Sequence, residues 1–208
     1  MRNTVELVLA TRNPGKLREF RRLLRDLDPE GGWEVTDLSG VSLPDVDETG
    51  KTFMENARLK ALHTAAYTGK LCLGEDSGLE VDALFGAPGV KSHRFSPSGS
   101  DDDNNELLLE RLKDVPDGER AARYRSAIAV AVPGRVLAEA DGTVEGFISR
   151  EYRGRNGFGY DPLFYAAELG MTLGEASDCE KDSISHRRRA LESVLPKLKK
   201  ALAEQERL

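Results

Sequence analysis

Two kinds of pattern follow each other along the chain, and their order constrains the fold. In the first half, apolar runs such as Val5 to Ala10 precede segments with large apolar residues at helical spacing, as from Leu17 to Leu27. The second half is rich in strand formers, at Tyr124 to Val132, Val136 to Ala140 and Thr143 to Ser149, which we interpret as antiparallel strands. This order predicts an α/β fold with a mixed sheet covered by helices on both sides.

Residues typical of helix caps mark two further helices. Thr52 and Glu55 form a capping-box pattern, and Gly69 is a typical C-terminal stop, so a helix is expected between them. The acidic run from Asp101 to Asp103 favours a helix start over a metal site, because acids are stabilised at a helix N-terminus.

Glycine and proline set two more expected boundaries. Leu71 to Leu73 is interpreted as a buried strand that ends in a turn at Gly74 to Gly78. A last helix is expected to begin near Ser185 and to bend or break near Pro196, because proline lacks the N–H that a helix interior uses.

The composition favours one globular, cytoplasmic domain. The chain has 208 residues, 39% of them hydrophobic and 32% charged, which suffices for one ordinary core. It has no apolar run of membrane-spanning length, and Pro14, Gly15 and Lys16 come too early for a secretory signal. The net charge of -6 argues against a stable nucleic-acid partner. Cys72 and Cys179 are expected to be unpaired thiols.

The turn from Thr11 to Lys16 is the first candidate site. A glycine-containing turn between a strand and a helix exposes backbone N–H groups at the helix N-terminus, where they and the helix dipole favour a phosphate. Lys16 adds a full positive charge. The glycine-rich Lys-Ser/Thr pattern of ordinary ATPases and GTPases is absent from the sequence. The turn therefore indicates either a phosphate site or an ordinary connection between a strand and a helix.

Carboxylates at Glu48, Glu75 and Asp76 form the second candidate site. Mg2+ prefers hard oxygen ligands and commonly keeps waters while it also binds substrate phosphates. A carboxylate beside an apolar strand is costly to bury unless it is paired or metal-bound. The same acids are also typical caps of turns, and Asp47 is an alternative to Glu48.

Hydrogen-bond donors near the C-terminus form the third candidate. The segment Ser185 to Arg187, with Lys181 before it, is expected near Gly157 to Asp161. The glycines of the latter segment let backbone approach a flat ligand, on which an aromatic ring can stack. The alternative is a helix cap without a ligand.

Five segments together resemble the signature blocks of the inosine triphosphate pyrophosphatase family. In chain order they read LATRNPGK, ETGKTFMENARLKA, GEDSGLEVDALFGAPGVKSHRFS, GFGYDPLF and ISHRRRAL. The resemblance covers nearly the whole chain and implies a single domain, residues 1–208. Its implied fold is an elongated, mixed, twisted α/β sheet flanked by helices, with two lobes around a central cleft. Its implied activity is Mg2+-dependent hydrolysis of ITP, dITP and XTP to the nucleoside monophosphate and pyrophosphate by a homodimer.

The resemblance also implies roles for residues at matching positions. Glu48 and Asp76 would bind Mg2+, and Asp76 would also accept a proton from the attacking water, with Lys16 as the second catalytic residue. The substrate would be bound by Thr11, Arg12, Asn13, Pro14, Gly15, Lys16, Lys60, Ser77, Arg94, Phe158, Gly159, Tyr160, Asp161, Lys181, His186 and Arg187. Thr11 to Lys16 would hold the phosphates, and Lys60 and Arg94 would face the triphosphate. The others would bind the nucleotide, the later ones chiefly its base.

Two positions leave the substrate preference open, and two other functions remain as alternatives. Glu75 stands where many family members carry an aspartate, and His93 where a small residue is common, so the substrate preference is not fixed by the resemblance. A nucleotide-sensing or RNA-binding module without turnover is the alternative class, motivated by clusters of basic residues at 16–25 and 187–200. A pyrophosphatase for other damaged nucleotides, including pyrimidines, is a third.

Overall fold

The computed structural model describes residues 5–38, 42–44 and 46–205. Within them the strands are β1 (Val5–Leu9), β2 (Trp33–Thr36), β3 (Cys72–Val81), β4 (Ala121–Val132), β5 (Arg135–Ile148), β6 (Phe164–Ala166) and β7 (Met171–Thr172). The α-helices are α1 (Pro14–Leu27), α2 (Phe53–Thr68), α3 (Asp101–Arg111), α4 (Asp178–Ile184) and α5 (His186–Gln205). Short 3₁₀ helices occupy Asp82–Leu84, Gly89–Arg94 and Asp117–Glu119.

The strands form one mixed sheet in the order β2-β1-β3-β4-β5-β6-β7. Strand β1 is parallel to both β2 and β3, with Val8 opposite Thr36 on one side and Cys72 on the other. Strand β6 is antiparallel to β5 and to β7, with Phe147 opposite Tyr165. The predicted α/β fold, a mixed sheet flanked by helices, is confirmed.

The described residues divide into two compact units. As far as the structure describes them, unit 1 contains residues 5–76, 126–142 and 187–205, and unit 2 contains residues 77–125 and 143–186. The single domain and the central cleft implied by the resemblance stay predictions.

Each unit has a hydrophobic core of its own. In unit 1, Phe20 of α1 belongs to one buried cluster with Leu73 of β3 and Leu191 of α5. In unit 2, Leu108 of α3 belongs to another, with Tyr124 of β4 and residues of β5 and β6. Burial of such side chains is the main stabilising term in each unit.

Strand β3 is longer than the sequence predicts. The strand was expected to end at Leu73, with Glu75 and Asp76 in a turn, but it continues through Gly74 to Val81. Gly74 serves close packing here rather than a turn, since a Cβ at this position would lie 2.2 Å from the carbonyl oxygen of Ala57 in α2. The two acids therefore lie inside a strand, where successive side chains point to opposite faces.

A methyl group at position 74 tests this close approach. We expect Gly74→Ala to lower the free energy of unfolding by about 1–3 kcal/mol, because the added carbon forces α2 away from β3. Gly118→Ala is the matched control, since a Cβ there meets no heavy atom of the described chain within 4 Å. Urea unfolding curves measure both variants, and equal midpoints would contradict the expected clash.

The β-rich segment contains fewer and longer strands than expected. The runs Val136 to Ala140 and Thr143 to Ser149 were predicted as separate strands, whereas β5 is continuous over Arg135–Ile148. Its neighbours in the sheet are β4 and β6. Strand β5 is antiparallel to β6, a strand that the sequence analysis did not predict.

The C-terminal segment forms two helices where one was predicted. Helix α4 begins after Ser177, whose hydroxyl accepts from the Glu180 N–H while the Glu180 side chain accepts from the Ser177 N–H. Helix α5 then continues through Pro196, so the alternative of a break there is wrong. Residues on both sides of the proline, Val194 and Leu198, are buried in the core of unit 1, and this packing holds the helix together.

Two observations concern membranes and thiols. Among the described residues, none of the helices combines the length and the apolar character needed to span a membrane. Cys72 is a buried free thiol and Cys179 an exposed one, as the sequence predicts.

Candidate functional site

Strand β3 places two consecutive acids, Glu75 and Asp76, on opposite faces of the sheet in unit 1. The side chain of Asp76 lies against α2, and that of Glu75 lies against residues of α1 and α5. Both carboxylates are about 5% exposed, so each requires partners for its charge. The two sets of partners are different.

Lys60 joins Asp76 to Glu48. Its Nζ lies 2.8 Å from Oδ1 of Asp76 and 2.9 Å from Oε1 of Glu48, and it donates to the backbone carbonyl of Glu75 at 3.3 Å. The sequence placed these carboxylates on separate segments, and the structure brings them to one ammonium group. Two carboxylates that converge on one cation are the donor set that a hard metal ion also prefers.

Asn56 holds the other oxygen of Asp76. Its Nδ2 donates to Oδ2 of Asp76 at 3.0 Å, and its Oδ1 accepts from the N–H of Gly50 at 2.8 Å. One fully buried amide therefore fixes the orientation of Asp76 and ties it to the loop that carries Glu48. With Oδ2 held in this way, Asp76 directs Oδ1 towards Lys60.

Burial and charge shift the ionisation of this group of residues. Burial raises the pKa of Asp76, and the nearby Lys60 ammonium offsets only part of that effect. For Lys60, burial alone would lower the pKa, but the carboxylates of Asp76 and Glu48 outweigh it and raise the pKa. Lys60 stays charged, and Asp76 is a stronger base than an exposed aspartate.

Glu75 is the centre of a buried ion-pair network on the opposite face. Lys16 donates to its Oε2 at 2.7 Å, and Arg187 donates through Nε to its Oε1 at 3.0 Å. Ser126 of β4 also donates to Oε1, at 3.2 Å. Arg187 donates through Nη1 to Glu19 of α1 at 3.0 Å. The network links the first turns of α1 and α5 to β3.

The first turn of α1 is capped by Asn13. Its Oδ1 accepts from the N–H groups of Gly15 and Lys16, at 2.8 and 3.1 Å. The N–H of Asn13 in turn donates to the hydroxyl of Thr11, and Arg12 donates to the carbonyl of Leu43. The sequence analysis expected backbone N–H groups of this turn to bind phosphate. In this structure those of Gly15 and Lys16 donate to Asn13, whereas the side chain of Lys16 extends to Glu75.

In unit 2, the segment from Gly157 to Asp161 forms a turn around its own carboxylate. Oδ2 of Asp161 accepts from the Phe158 N–H at 2.9 Å and from Nζ of Lys181 at 2.5 Å. Gly157 has φ of +78°, and a Cβ there would lie 2.0 Å from the same oxygen. Lys181 also lies 4.7 Å from the centre of the Phe158 ring. The turn presents a half-exposed phenylalanine that a buried ion pair holds in place.

The other predicted residues of unit 2 have varied surroundings. The hydroxyl of buried Tyr160 donates to the carbonyl of Ser92 at 2.7 Å, and His186 stacks on the ring of Tyr124 with centroids 4.9 Å apart. Ser77 is half-buried in β3, and Arg94 is exposed at the end of a 3₁₀ helix. Each keeps its assigned role as a prediction.

The structure thus gathers predicted residues within each unit. In unit 1 they form two sets on opposite faces of β3, with Glu48, Lys60 and Asp76 on one face and Lys16 and Arg187 around Glu75 on the other. In unit 2 the structure brings together Phe158, Asp161 and Lys181. Asn56, Glu19 and Ser126 were missed. An asparagine or serine carries no sequence signal of its own, but Asn56 directly follows the capping-box Glu55, which fixes its place in the first turn of α2.

The described residues contain no group of three or more His, Cys, Asp or Glu side chains arranged to hold a metal ion. Two carboxylates, Glu48 and Asp76, are the set that converges near Lys60.

Comparison with known proteins gives consistent results. The model of the Ham1 family matches residues 7–197. A protein of Desulforamulus reducens named dITP/XTP pyrophosphatase is 46% identical over 204 residues, which cover 97% of this chain and 100% of the relative. The structure of a HAM1 protein from Coxiella burnetii has a TM-score of 0.80 and 40% identity, covering 98% of this chain and 100% of that one. A Mycobacterium abscessus structure, described as nucleoside-triphosphatase / dITP/XTP pyrophosphatase, has a TM-score of 0.72 and 42% identity, covering 90% and 97%.

Proposed function

The chain belongs to the Ham1 family, and on that premise we propose that it hydrolyses non-standard purine nucleoside triphosphates, namely ITP, dITP and XTP. The products are the nucleoside monophosphate and pyrophosphate. The reaction removes these nucleotides from the pool before they enter DNA and RNA. The resemblance seen in the five sequence blocks is confirmed by the family match, and the relatives' names support this substrate class.

The observation that carries the proposal is the environment of Asp76. Asn56 fixes one of its oxygens, Lys60 lies at the other, and burial raises its pKa. A general base must be correctly oriented and basic enough to accept a proton from water. Asp76 takes a proton from the attacking water, and the water oxygen bonds to the α-phosphorus. Pyrophosphate leaves with the electrons of the broken P–O bond.

The carboxylates of Glu48 and Asp76 fit Mg2+, which the proposal includes as the cofactor. Both are hard oxygen donors and both lie within 3 Å of one cationic nitrogen, so their position already attracts positive charge. Two protein ligands suffice for an ion that keeps waters and binds substrate phosphates. When bound, Mg2+ would neutralise charge that develops on the triphosphate. Asp47 stays the alternative to Glu48.

Basic side chains supply the rest of the phosphate recognition. Lys16 and Lys60 are ammonium groups held by carboxylates in unit 1. Each has three N–H donors, so Lys16 can keep Glu75 and still donate to a phosphate oxygen. Lys60 already donates to Asp76, Glu48 and the Glu75 carbonyl, so it would exchange one of these acceptors for a phosphate oxygen. Positioned cations of this kind are the main means by which enzymes stabilise the transition state of phosphoryl transfer.

The base would be recognised by the turn around Asp161 in unit 2. Phe158 is half-exposed and offers a face for stacking. A Cβ added to Gly159 would have no heavy atom of the described chain within 4 Å, so there is open space beside this glycine. Hypoxanthine and xanthine have an oxygen at position 6 where adenine has an amino group. Donors in this unit, such as Lys181 and His186, would therefore select oxopurines against adenine. The role assigned to Arg187, which lies in unit 1, stays a prediction.

Steady-state kinetics with ITP, XTP, GTP and ATP, with and without Mg2+, test the proposal. We expect kcat/KM for ITP or XTP to exceed that for ATP by about 10²-fold or more, because an unmatched donor in a polar pocket is strongly rejected. Chelation of divalent ions should stop turnover, and added Mg2+ should restore it. Equal turnover of all four nucleotides, or binding without turnover as in the alternative sensing module, would overturn the proposal.

The proposal also includes a cytoplasmic homodimer, as expected from the sequence. A nucleotide-cleaning enzyme acts where polymerases draw their substrates, which supports this location. Light scattering coupled to gel filtration tests the dimer. A mass of one chain at micromolar concentration would exclude it.

A further inference from the structure

Side chains of helix α3, in unit 2, form hydrogen bonds with the backbone of the turn around Asp161. The first residue of the helix, Asp101, accepts a hydrogen bond from the N–H of Gly159 through Oδ2 at 2.7 Å. One helical turn later, Nδ2 of Asn105 donates to the carbonyl of the same glycine at 2.8 Å. Both polar groups of Gly159 are thus bound by side chains at i and i+4, which share one face of the helix.

The contact is anchored in the core of unit 2. Leu108 and Leu112, in the next turn and just after α3, are fully buried with Val81 and Tyr124. The start of the helix is fixed by Ser100, whose hydroxyl accepts from the N–H of Asp103. The helix is therefore a rigid support for side chains that reach the turn.

Gly159 is the residue of the turn that has the greatest need of such support. Its φ is +63°, and its neighbourhood leaves open space where a Cβ would be. A glycine without packed neighbours has more backbone freedom than any other residue. The N–H of Phe158, by contrast, is already held from within the turn by Asp161.

Asn105 is buried at some cost to the fold. It is 2% exposed, and its Oδ1 has no hydrogen-bond partner among the described residues. Exchange of its oxygen and nitrogen would place an acceptor against the Gly159 carbonyl, so the orientation of the amide is determined. A buried acceptor without a partner weakens a protein, and the hydrogen bond to Gly159 gives a reason for the amide at this position.

We propose that Asp101 and Asn105 are positioning residues for substrate specificity, which fix the Gly159 peptide and thereby hold the Phe158 ring in the orientation that stacks on an oxopurine base. This inference rests on the proposed function and deepens it. The acidic run at 101–103 thus contains one residue with a second role besides capping the helix. Both residues hydrogen-bond to Gly159, in the turn assigned to the base, so both act on binding and selectivity rather than on the chemical step.

The test compares Asp101→Ala with Asp101→Asn and Asp102→Ala. Asp101→Ala removes the acceptor for the Gly159 N–H, Asp101→Asn keeps an oxygen acceptor without the charge, and Asp102→Ala removes the same charge from the same helix terminus. Both positions are exposed, and melting curves confirm that the three variants fold. KM and kcat are measured with ITP and GTP.

For Asp101→Ala we expect KM for ITP to rise about five- to ten-fold, the factor that corresponds to one hydrogen bond, with kcat nearly unchanged. The ratio of kcat/KM for ITP over GTP should change as well. Asp101→Asn should retain most of the wild-type KM, and Asp102→Ala should match the wild type.

The outcomes separate this inference from the proposed function. If the wild type hydrolyses ITP and Asp101→Ala has the kinetics of Asp102→Ala, the positioning role is excluded while the function stands. A parallel fall of kcat for both nucleotides with unchanged KM would also exclude it, because that result indicates a structural effect alone. If the wild type does not hydrolyse ITP, the proposed function fails first.

Discussion

Asp76→Asn is expected to lower kcat by about 10²–10⁴-fold, the usual contribution of a general base. The amide has nearly the same shape as the carboxylate but only one acceptor oxygen, so it keeps the hydrogen bond from either Asn56 or Lys60, and it cannot accept a proton from water. Because a buried carboxylate is replaced by a neutral group, the variant should be no less stable than the wild type. Steady-state rates with ITP and a melting curve measure the two effects.

Two results would contradict the role of Asp76. One is full activity of the Asp76→Asn variant. The other is loss of activity together with loss of folding, which would indicate a structural rather than a catalytic carboxylate. Glu139→Gln is the matched control, because Glu139 carries an exposed ion pair with Arg58 in the same unit and its amide should leave kcat unchanged.

The second large effect is expected from the buried ion-pair network around Glu75. Arg187→Met should lower the free energy of unfolding by about 3–5 kcal/mol, because it leaves Glu19 and Glu75 buried without their guanidinium partner. Arg188→Met is the control at the next position. Its pairs with Asp26 and Glu192 are on the surface, so its cost should be about 1 kcal/mol or less.

A combined variant distinguishes lost charge pairing from lost packing. Adding Glu19→Gln to Arg187→Met removes the carboxylate charge that is left without a cation, while Glu75 keeps Lys16, and should restore a substantial part of the stability. Urea unfolding at neutral pH measures all variants. If the single and combined variants are equally unstable, packing of the arginine rather than its charge accounts for the effect.

Local signals in the sequence predicted the local structure well. The capping box of Thr52 and Glu55 and the stop at Gly69 are the observed ends of α2, because caps depend on side chains within one turn. The capping box that starts α4, at Ser177 and Glu180, has the same form and was available in the sequence. It was missed because the segment was interpreted as a run of donors before the last helix.

Features that depend on tertiary contacts were not predictable in the same way. Gly74 has the appearance of a turn residue, and only the approach of Ala57 shows that it belongs to a strand. Pro196 has the appearance of a helix breaker, but the burial of Val194 and of leucines on α5 outweighs the lost hydrogen bond. Packing decides such positions, and one sequence does not disclose its partners.

The residues of the candidate site were likewise predictable from the sequence only in part. Glu75 and Asp76 were identified because charge beside an apolar strand is unusual, and Lys16 because it lies in a turn that opens a helix, whereas Lys60 was identified only through the family resemblance. The opposite faces of Glu75 and Asp76 follow only from the length of β3, and the role of Asn56 only from the packing of α2. The sequence therefore indicated which residues matter, and the structure shows which of them contact each other.

Phosphorus-31 NMR of the reaction products, with ITP as substrate, tests the central claim most directly. The account predicts one pyrophosphate and one IMP for each ITP consumed, with both signals lost in the Asp76→Asn variant. Orthophosphate and IDP as the first products would contradict it, because water would then attack the terminal phosphate instead of releasing pyrophosphate.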